Sequence, residues 1–172
     1  MVFKGKLVGW FSGQMEFGER ALGARSILAD PRLPEMKNRI NASVKYRESF
    51  RPFAASVLPG MASTYFDLFG NKNIPYMERV VNVKPQYADY IPAITHHDGS
   101  CRIQTVDEYI HPKYFRLIQE FYKLSKLGIV LNTSFNLQGE PIVCSPQDAI
   151  RTFFTSGLEV LFLENYMITK GK

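Results

Sequence analysis

The sequence predicts a single α/β (α+β) domain, a mixed sheet with flanking helices, and three observations lead there. Short apolar runs alternate along the chain with segments of helical periodicity, the pattern of strands and helices that share one core. Two segments open with helix-start signatures, His111-Pro112 and Ser145-Pro146-Gln147-Asp148. With 172 residues, 45% of them apolar and 22% charged, the chain is long enough to bury a core and too apolar for disorder. No internal repeat, low-complexity tract or linker argues for two domains.

Lys6 to Phe11 reads as a first strand, followed by a glycine-rich stretch from Gly13 to Gly23 and a short helix around Arg20 to Ser26. The glycine spacing fits neither a Walker A loop nor a GxGxxG fingerprint, so a structural turn is the better reading. Asp30-Pro31 and Leu33-Pro34 punctuate the chain before a helix over Glu35 to Val44, with Met36, Ile40 and Val44 on one stripe. Phe50 to Leu58 reads as a buried strand, Ser63 to Phe69 as a short helix, and Val80 to Val83 and Ile91 to His96 as extended pieces. Asp98-Gly99 then marks a hairpin turn before a strand over Arg102 to Val106. His111-Pro112 opens a long amphipathic helix to about Lys126, whose aromatic stripe serves packing. Ile129 to Leu131 is a buried strand. The Ser145 helix ends at Gly157, and Leu158 to Leu163 forms the last strand.

Composition narrows the function classes. No apolar stretch approaches the roughly 18 residues a membrane span needs, and the start lacks an apolar signal core, so a cytoplasmic protein without a membrane partner is expected. Cys101 and Cys144 are too few for a disulfide framework and form no CxxC motif, which favours two reduced thiols. The net charge of +5 concentrates between residues 20 and 51, where Arg20, Arg25, Arg32, Lys37, Arg39, Lys45, Arg47 and Arg51 outnumber the acids. A local excess suits a phosphate-bearing small substrate or an RNA backbone.

Two stretches carry the chemistry. Lys45-Tyr-Arg47-Glu-Ser-Phe-Arg51 packs three cations into seven residues, and Asn132-Thr-Ser134-Phe-Asn136 places Ser134 and Asn136 on one side of an extended backbone. Fixed cations beside neutral hydrogen-bonding groups make an anion pocket, although a solvated face and an ordinary turn explain the same residues about as well. His96 and His97 suggest a metal, but adjacent residues on a strand point to opposite faces, so a polar strand end or substrate contact is preferred. No G-x-S-x-G elbow frames any serine, and Ser134 reads as a hydrogen-bonding group.

In order along the chain stand Gln14-Met-Glu-Phe-Gly-Glu-Arg-Ala-Leu-Gly-Ala-Arg-Ser-Ile-Leu-Ala-Asp-Pro-Arg32, Lys45-Tyr-Arg-Glu-Ser-Phe-Arg-Pro-Phe-Ala54, His96-His-Asp-Gly99 with Arg102-Ile-Gln-Thr105, and Leu131-Asn-Thr-Ser-Phe-Asn136 with Gly139-Glu-Pro-Ile-Val143. This series resembles the C-terminal domain of the nodulation-factor and antibiotic-tailoring O-carbamoyltransferases, over about residues 8 to 165. The resemblance implies a YrdC-like twisted mixed sheet that makes carbamoyl adenylate from carbamoyl phosphate and ATP with Mg²⁺. An N-terminal actin/hexokinase-like domain, absent from these residues, would carry its own metal and transfer the carbamoyl group to an acceptor hydroxyl, in cis or in trans. The residues that match the family's pocket are Arg20, Lys45, Arg51, Arg102, Ser134 and Asn136; chemistry alone adds Arg47. Lys45, Arg51, Ser134 and Asn136 are expected to be catalytic, Arg20, Arg47 and Arg102 to bind substrate, and no residue to ligate a metal. An RNA-binding module or a threonylcarbamoyl-adenylate-synthase-like enzyme is the alternative, with nucleic acid the less favoured partner. The oligomeric state stays open, a homodimer included.

Overall fold

The structure, a computed structural model, describes residues 1–46, 48 and 51–171. Nine strands form one mixed sheet in the order β4-β5-β6-β3-β7-β2-β1-β8-β9. Chain order gives β1 (Val8–Phe11), β2 (Arg25–Ala29), α1 (Met36–Ile40), β3 (Ala54–Val57), α2 (Pro59–Tyr65), β4 (Phe66–Asp67), β5 (Arg79–Val83), α3 (Pro85–Ala88), β6 (Ser100–Thr105), α4 (Pro112–Ser125), β7 (Ile129–Ser134), α5 (Pro146–Thr155), β8 (Val160–Leu163) and β9 (Tyr166–Thr169). A π-helical turn, Asn41–Lys45, continues α1. β3 runs parallel to β6 and β1 parallel to β8, while the remaining pairs are antiparallel. The expected mixed sheet with flanking helices is what folds.

The central strands present two different faces. Opposed residues in paired strands share a face, so the registers Trp10↔Ser26, Leu28↔Asn132, Ser26↔Ser134, Ala54↔Asn132, Ala54↔Arg102 and Ser56↔Gln104 set these side chains on one side. Its middle is therefore polar: Ser26, Ser56, Gln104 and Asn132 are all fully buried there. The other side carries Ile27, Ala55, Val57, Ile103 and Leu131, each inaccessible to solvent. This apolar face supplies the larger hydrophobic driving force. The α1 stripe Met36, Ile40 and Val44 is likewise inaccessible, as the helical spacing predicts.

Several elements follow their local signals closely. α4 begins at Pro112 and stops where Lys126 adopts a left-handed conformation at φ 61°. α5 has a complete capping box: the Ser145 hydroxyl accepts from the Asp148 N–H, and the Asp148 carboxylate accepts from the Ser145 N–H at 2.9 Å.

Other expectations are corrected. The helix expected over Arg20 to Ser26 does not form. The N–H groups of Leu22, Ala24 and Arg25 donate to the Glu16 carboxylate, and Arg25–Ala29 instead becomes a fully buried strand between β1 and β7. The helix expected at Ser63 starts earlier, at Pro59, because proline suits the first helical turn, and β4 follows it. Ile91 to His96 is a chain of turns rather than a strand: the amides of Ile91, Ile94, Thr95 and His96 bond within a few residues, that of Ala93 reaches the Pro31 carbonyl, and β6 pairs with β5 instead. The Asp98-Gly99 turn itself is present, with Gly99 at φ 77° and its N–H on the His96 carbonyl. α3 and β9 carried too short a signal to be read.

α4 packs its first turn onto the glycine-rich segment. A Cβ on Gly23 would lie 2.1 Å from the Tyr114 ring, and the φ of +110° disfavours any L side chain there. Gly23→Ala should therefore cost about 2–4 kcal/mol of unfolding free energy in urea titrations, whereas Gly13→Ala, whose Cβ meets nothing within 4 Å, should cost about 1 kcal/mol.

Candidate functional site

The loop between β1 and β2 is fastened to the polar face by side chains from three strands. Asn132 Nδ2 donates to the Ala21 carbonyl at 3.1 Å, Gln104 Nε2 to the Leu22 carbonyl at 2.9 Å, and Trp10 Nε1 to the Gly23 carbonyl at 2.8 Å. The loop's own donors are matched as well. Glu16 Oε1 accepts from the N–H groups of Leu22, Ala24 and Arg25 at 2.7, 2.7 and 3.2 Å, and Ser26 Oγ accepts from the Gly23 N–H. Behind them Ser56 Oγ accepts from Asn132 Nδ2 and donates to Gln104 Oε1, which ties the fasteners into one chain across β7, β3 and β6. A loop buried against a sheet needs such partners, because an unmatched buried backbone group costs about 1–3 kcal/mol.

What the loop carries is Arg20. Beside it opens a cavity of about 340 Å³, lined among others by Arg20, Arg51, Arg102, Ser134, Asn132 and His96. It lies at the beginning of the parallel pair β3 and β6 and at the end of β7, not at the carboxyl ends where open α/β sheets place ligands. Arg102 comes from β6, Arg51 precedes β3, and Ser134 closes β7. The Asn132 carboxamide is fully buried, and its Oδ1 has no hydrogen-bond partner. The guanidinium of Arg20 lies 3.3 Å from Glu19, an exposed pair that holds it only weakly. An outer hollow shares Glu19, Arg20, Met77 and Arg102 with the cavity and adds Phe17 and Tyr76. Met77 sits in the left-handed region at φ 56°, a strained conformation of the kind found at ligand sites.

The second sequence motif converges as well, though around Lys45. Its ammonium donates to Ser134 O at 2.7 Å, Ser134 Oγ at 3.2 Å, Asn136 O at 3.1 Å and Asn136 Oδ1 at 2.6 Å, while the residue is only 6% exposed. Ser134 Oγ donates to Asn136 Oδ1 at 2.7 Å, and Asn136 Nδ2 to the Glu140 carbonyl. Lys45 and Asn136 thus stand behind Ser134, while Ser134 itself reaches the cavity wall. A buried ammonium needs several oxygens around it, and here the turn after β7 supplies them. Of the expected site residues, Arg20, Arg51, Arg102 and Ser134 line one cavity, Lys45 and Asn136 buttress it, and Arg47 lies outside the described residues.

His96 is on the cavity wall, but its ring is engaged with the chain: Nδ1 lies 3.0 Å from Ser100 Oγ and Nε2 lies 3.2 Å from the Phe53 carbonyl. His97 is exposed. Among the described residues no three His, Cys, Asp or Glu side chains group to hold a metal ion. Burial pushes the Cys101 thiol well above its ordinary range, while Cys144 is exposed. No helix among the described residues is long and apolar enough to cross a membrane.

Comparison with known proteins bears on what such a cavity serves. Residues 1–170 match the family described as Carbamoyltransferase C-terminus. The chain belongs to that family. It is 50% identical to nodulation protein NolO of Bradyrhizobium diazoefficiens and 47% identical to nodulation protein NolNO of Sinorhizobium fredii, in each case over 96% of this chain. An uncharacterized protein of Synechocystis is 44% identical over the same share. The chain spans 30%, 25% and 30% of the lengths of these three relatives.

The residues that sequence reasoning missed are the fasteners: Trp10, Glu16, Ser56, Gln104 and Asn132. Asn132 stood two positions before Ser134, on the same face, and Gln104 stood two after Arg102; only the strand pairing shows that they share a task. Trp10 is the single tryptophan and reports on the loop directly. Gln104→Ala should shift Trp10 emission to longer wavelength and lower stability by about 2 kcal/mol, since it strands the Leu22 carbonyl and Ser56 hydroxyl. An unchanged spectrum and stability would show that the loop holds itself.

Proposed function

We propose that this domain binds ATP and carbamoyl phosphate in the arginine-lined cavity and joins them as carbamoyl adenylate, which the remainder of a full-length carbamoyltransferase passes to an acceptor hydroxyl. The observation that carries the reading is the convergence of Arg20, Arg51 and Arg102 on one cavity edged by Ser134. Guanidinium forks match the paired oxygens of phosphates, and three of them offset part of the charge that two phosphorylated substrates bring together. The outer hollow adds Phe17 and Tyr76 as aromatic surface for a nucleobase, next to the guanidinium groups that would hold its phosphates.

The chemistry asks for little proton movement. Carbamoyl phosphate loses its phosphate to water and leaves carbamate, whose anionic oxygen attacks the α-phosphorus of ATP. The new O–P bond forms as the α–β anhydride breaks, and pyrophosphate leaves with the electron pair. Arg20, Arg51 and Arg102 hold the phosphate oxygens in line and stabilise the charge on the transferring group. Ser134 Oγ, whose proton is held by Asn136 Oδ1, offers a lone pair to the carbamoyl N–H group. Lys45 keeps Ser134 and Asn136 in place and adds a positive charge behind them. The arginines suit phosphate, while the described residues offer no carboxylate cluster for a cation. Mg²⁺ would therefore arrive on the nucleotide phosphates, where it supplies charge neutralisation.

Isothermal titration with Mg·ATP and with carbamoyl phosphate checks this assignment. Arg20→Ala and Arg102→Ala should each weaken Mg·ATP about tenfold or more, and Lys45→Met should lose turnover to carbamoyl adenylate together with some stability. Affinities equal to wild type in both arginine variants would remove the cavity from consideration. Binding of generic RNA in preference to ATP, with a steep salt dependence, would point to the nucleic-acid alternative.

A further inference from the structure

The cavity wall contains a histidine with one hydrogen too few for its neighbours. Ser100 Oγ lies 3.0 Å from His96 Nδ1 and 2.6 Å from Asp98 Oδ1, and a serine hydroxyl has a single proton to give. The Phe53 carbonyl, 3.2 Å from Nε2, can only accept. Two arrangements compete, and only the second places a proton in all three contacts. In one the ring is neutral: Nε2–H donates to Phe53, and the Ser100 hydroxyl donates to Nδ1. In the other the ring is an imidazolium: both nitrogens donate, Ser100 accepts at Nδ1–H, and its hydroxyl turns to Asp98. The Asp98 carboxylate also accepts from the Ser100 N–H at 3.0 Å, so it is held in place for either state.

Which arrangement prevails depends on the charges around the ring. Burial disfavours the charged imidazole; Lys37 of α1 and Arg102 of β6 disfavour it further, the Phe53 hydrogen bond and Asp98 favour it, and the net direction is down from the ordinary histidine value. Arg20, Glu19 and Arg51 face the same cavity. In the free protein, protonation of His96 is therefore resisted, and its contribution to stability is lost as pH falls below the unfolded histidine value. A dianion among the three arginines cancels most of their positive charge and so makes protonation of the ring easier.

We infer that His96 is a proton-coupled positioning residue: an anion that occupies the arginine cavity draws one proton from solvent onto Nδ1, and the Ser100 hydroxyl swings from His96 to Asp98. Through Nε2–H the ring holds the Phe53 carbonyl, two residues after Arg51, in both states, and the positive charge gained at Nδ1 strengthens that bond and so firms the backbone that presents the guanidinium. The inference rests on the anion-binding reading of the cavity. By linkage, anion affinity must rise as pH falls through the range in which bound and free proteins differ in protonation.

Titration calorimetry with sodium sulfate, which stays doubly charged across neutral pH, tests it when run in two buffers of different ionisation enthalpy. Wild type should take up about half a proton per sulfate near pH 6.5 and bind it about fivefold more tightly near pH 6 than near pH 8. His96→Gln, which can still donate to the Phe53 carbonyl, should bind sulfate with less than about twofold pH dependence and no uptake. The chain has three histidines, so imidazole ¹⁵N shifts resolve His96 from His97 and His111 in wild type and should move toward the imidazolium on sulfate addition. Equal uptake in His96→Gln and wild type, or an unmoved His96 resonance in the sulfate-bound protein, would overturn the proton coupling while leaving the pocket intact. No sulfate bound at either pH would overturn the pocket and the coupling together.

Discussion

Everything around the cavity depends on a stretch of backbone, Ala21 to Ala24, being held largely by side chains before the chain enters β2 at Arg25. Three carbonyls in succession are taken by Asn132, Gln104 and Trp10, and three N–H groups by one carboxylate oxygen of Glu16. Those side chains can reach because the sheet register brings β1, β7, β3 and β6 polar positions to one face. The opposite face is apolar and carries the larger share of the burial energy. The protein thus separates tasks: one face of the sheet drives folding and the other positions a loop.

Positioning matters because phosphate recognition is geometric. A guanidinium on a wandering loop loses side-chain and backbone freedom on binding, at about 1–2 kcal/mol per residue ordered, whereas a loop already fastened does not. Arg102 stands within β6 and Arg51 shortly before β3 of the same sheet, so the three cations are referred to one rigid frame. Ser134 is fixed differently, by the buried Lys45 ammonium behind it. A lysine used this way gives charge and alignment at once.

Much of the scaffold was legible in the sequence because its signals are local. The Ser145 capping box, the His111-Pro112 start and the Met36-Ile40-Val44 stripe each act within one or two turns of chain. The site residues Arg20, Lys45, Arg51, Arg102, Ser134 and Asn136 were named from the family resemblance; four of them line one cavity, and Lys45 and Asn136 stand behind its wall. The helix expected over Arg20 to Ser26 failed for a non-local reason: Glu16 and three strands offered its backbone better partners than its own i−4 carbonyls. The fasteners were invisible for the same cause. Gln104 and Asn132 read as ordinary strand residues until register sets them opposite Ser56 and Ala54.

The fastened loop makes a claim about dynamics that differs from what an exposed glycine-rich connection would do. Amides buried in such a network should exchange only on large-scale opening. Native-state hydrogen exchange at Leu22, Gly23, Ala24 and Arg25 reads this directly. Protection of these four amides close to that of the central strand β7 is the expected result. Exchange as fast as at the exposed Gly13 to Gln14 segment would show that the loop is mobile in solution, and that Arg20 is not preset for an anion.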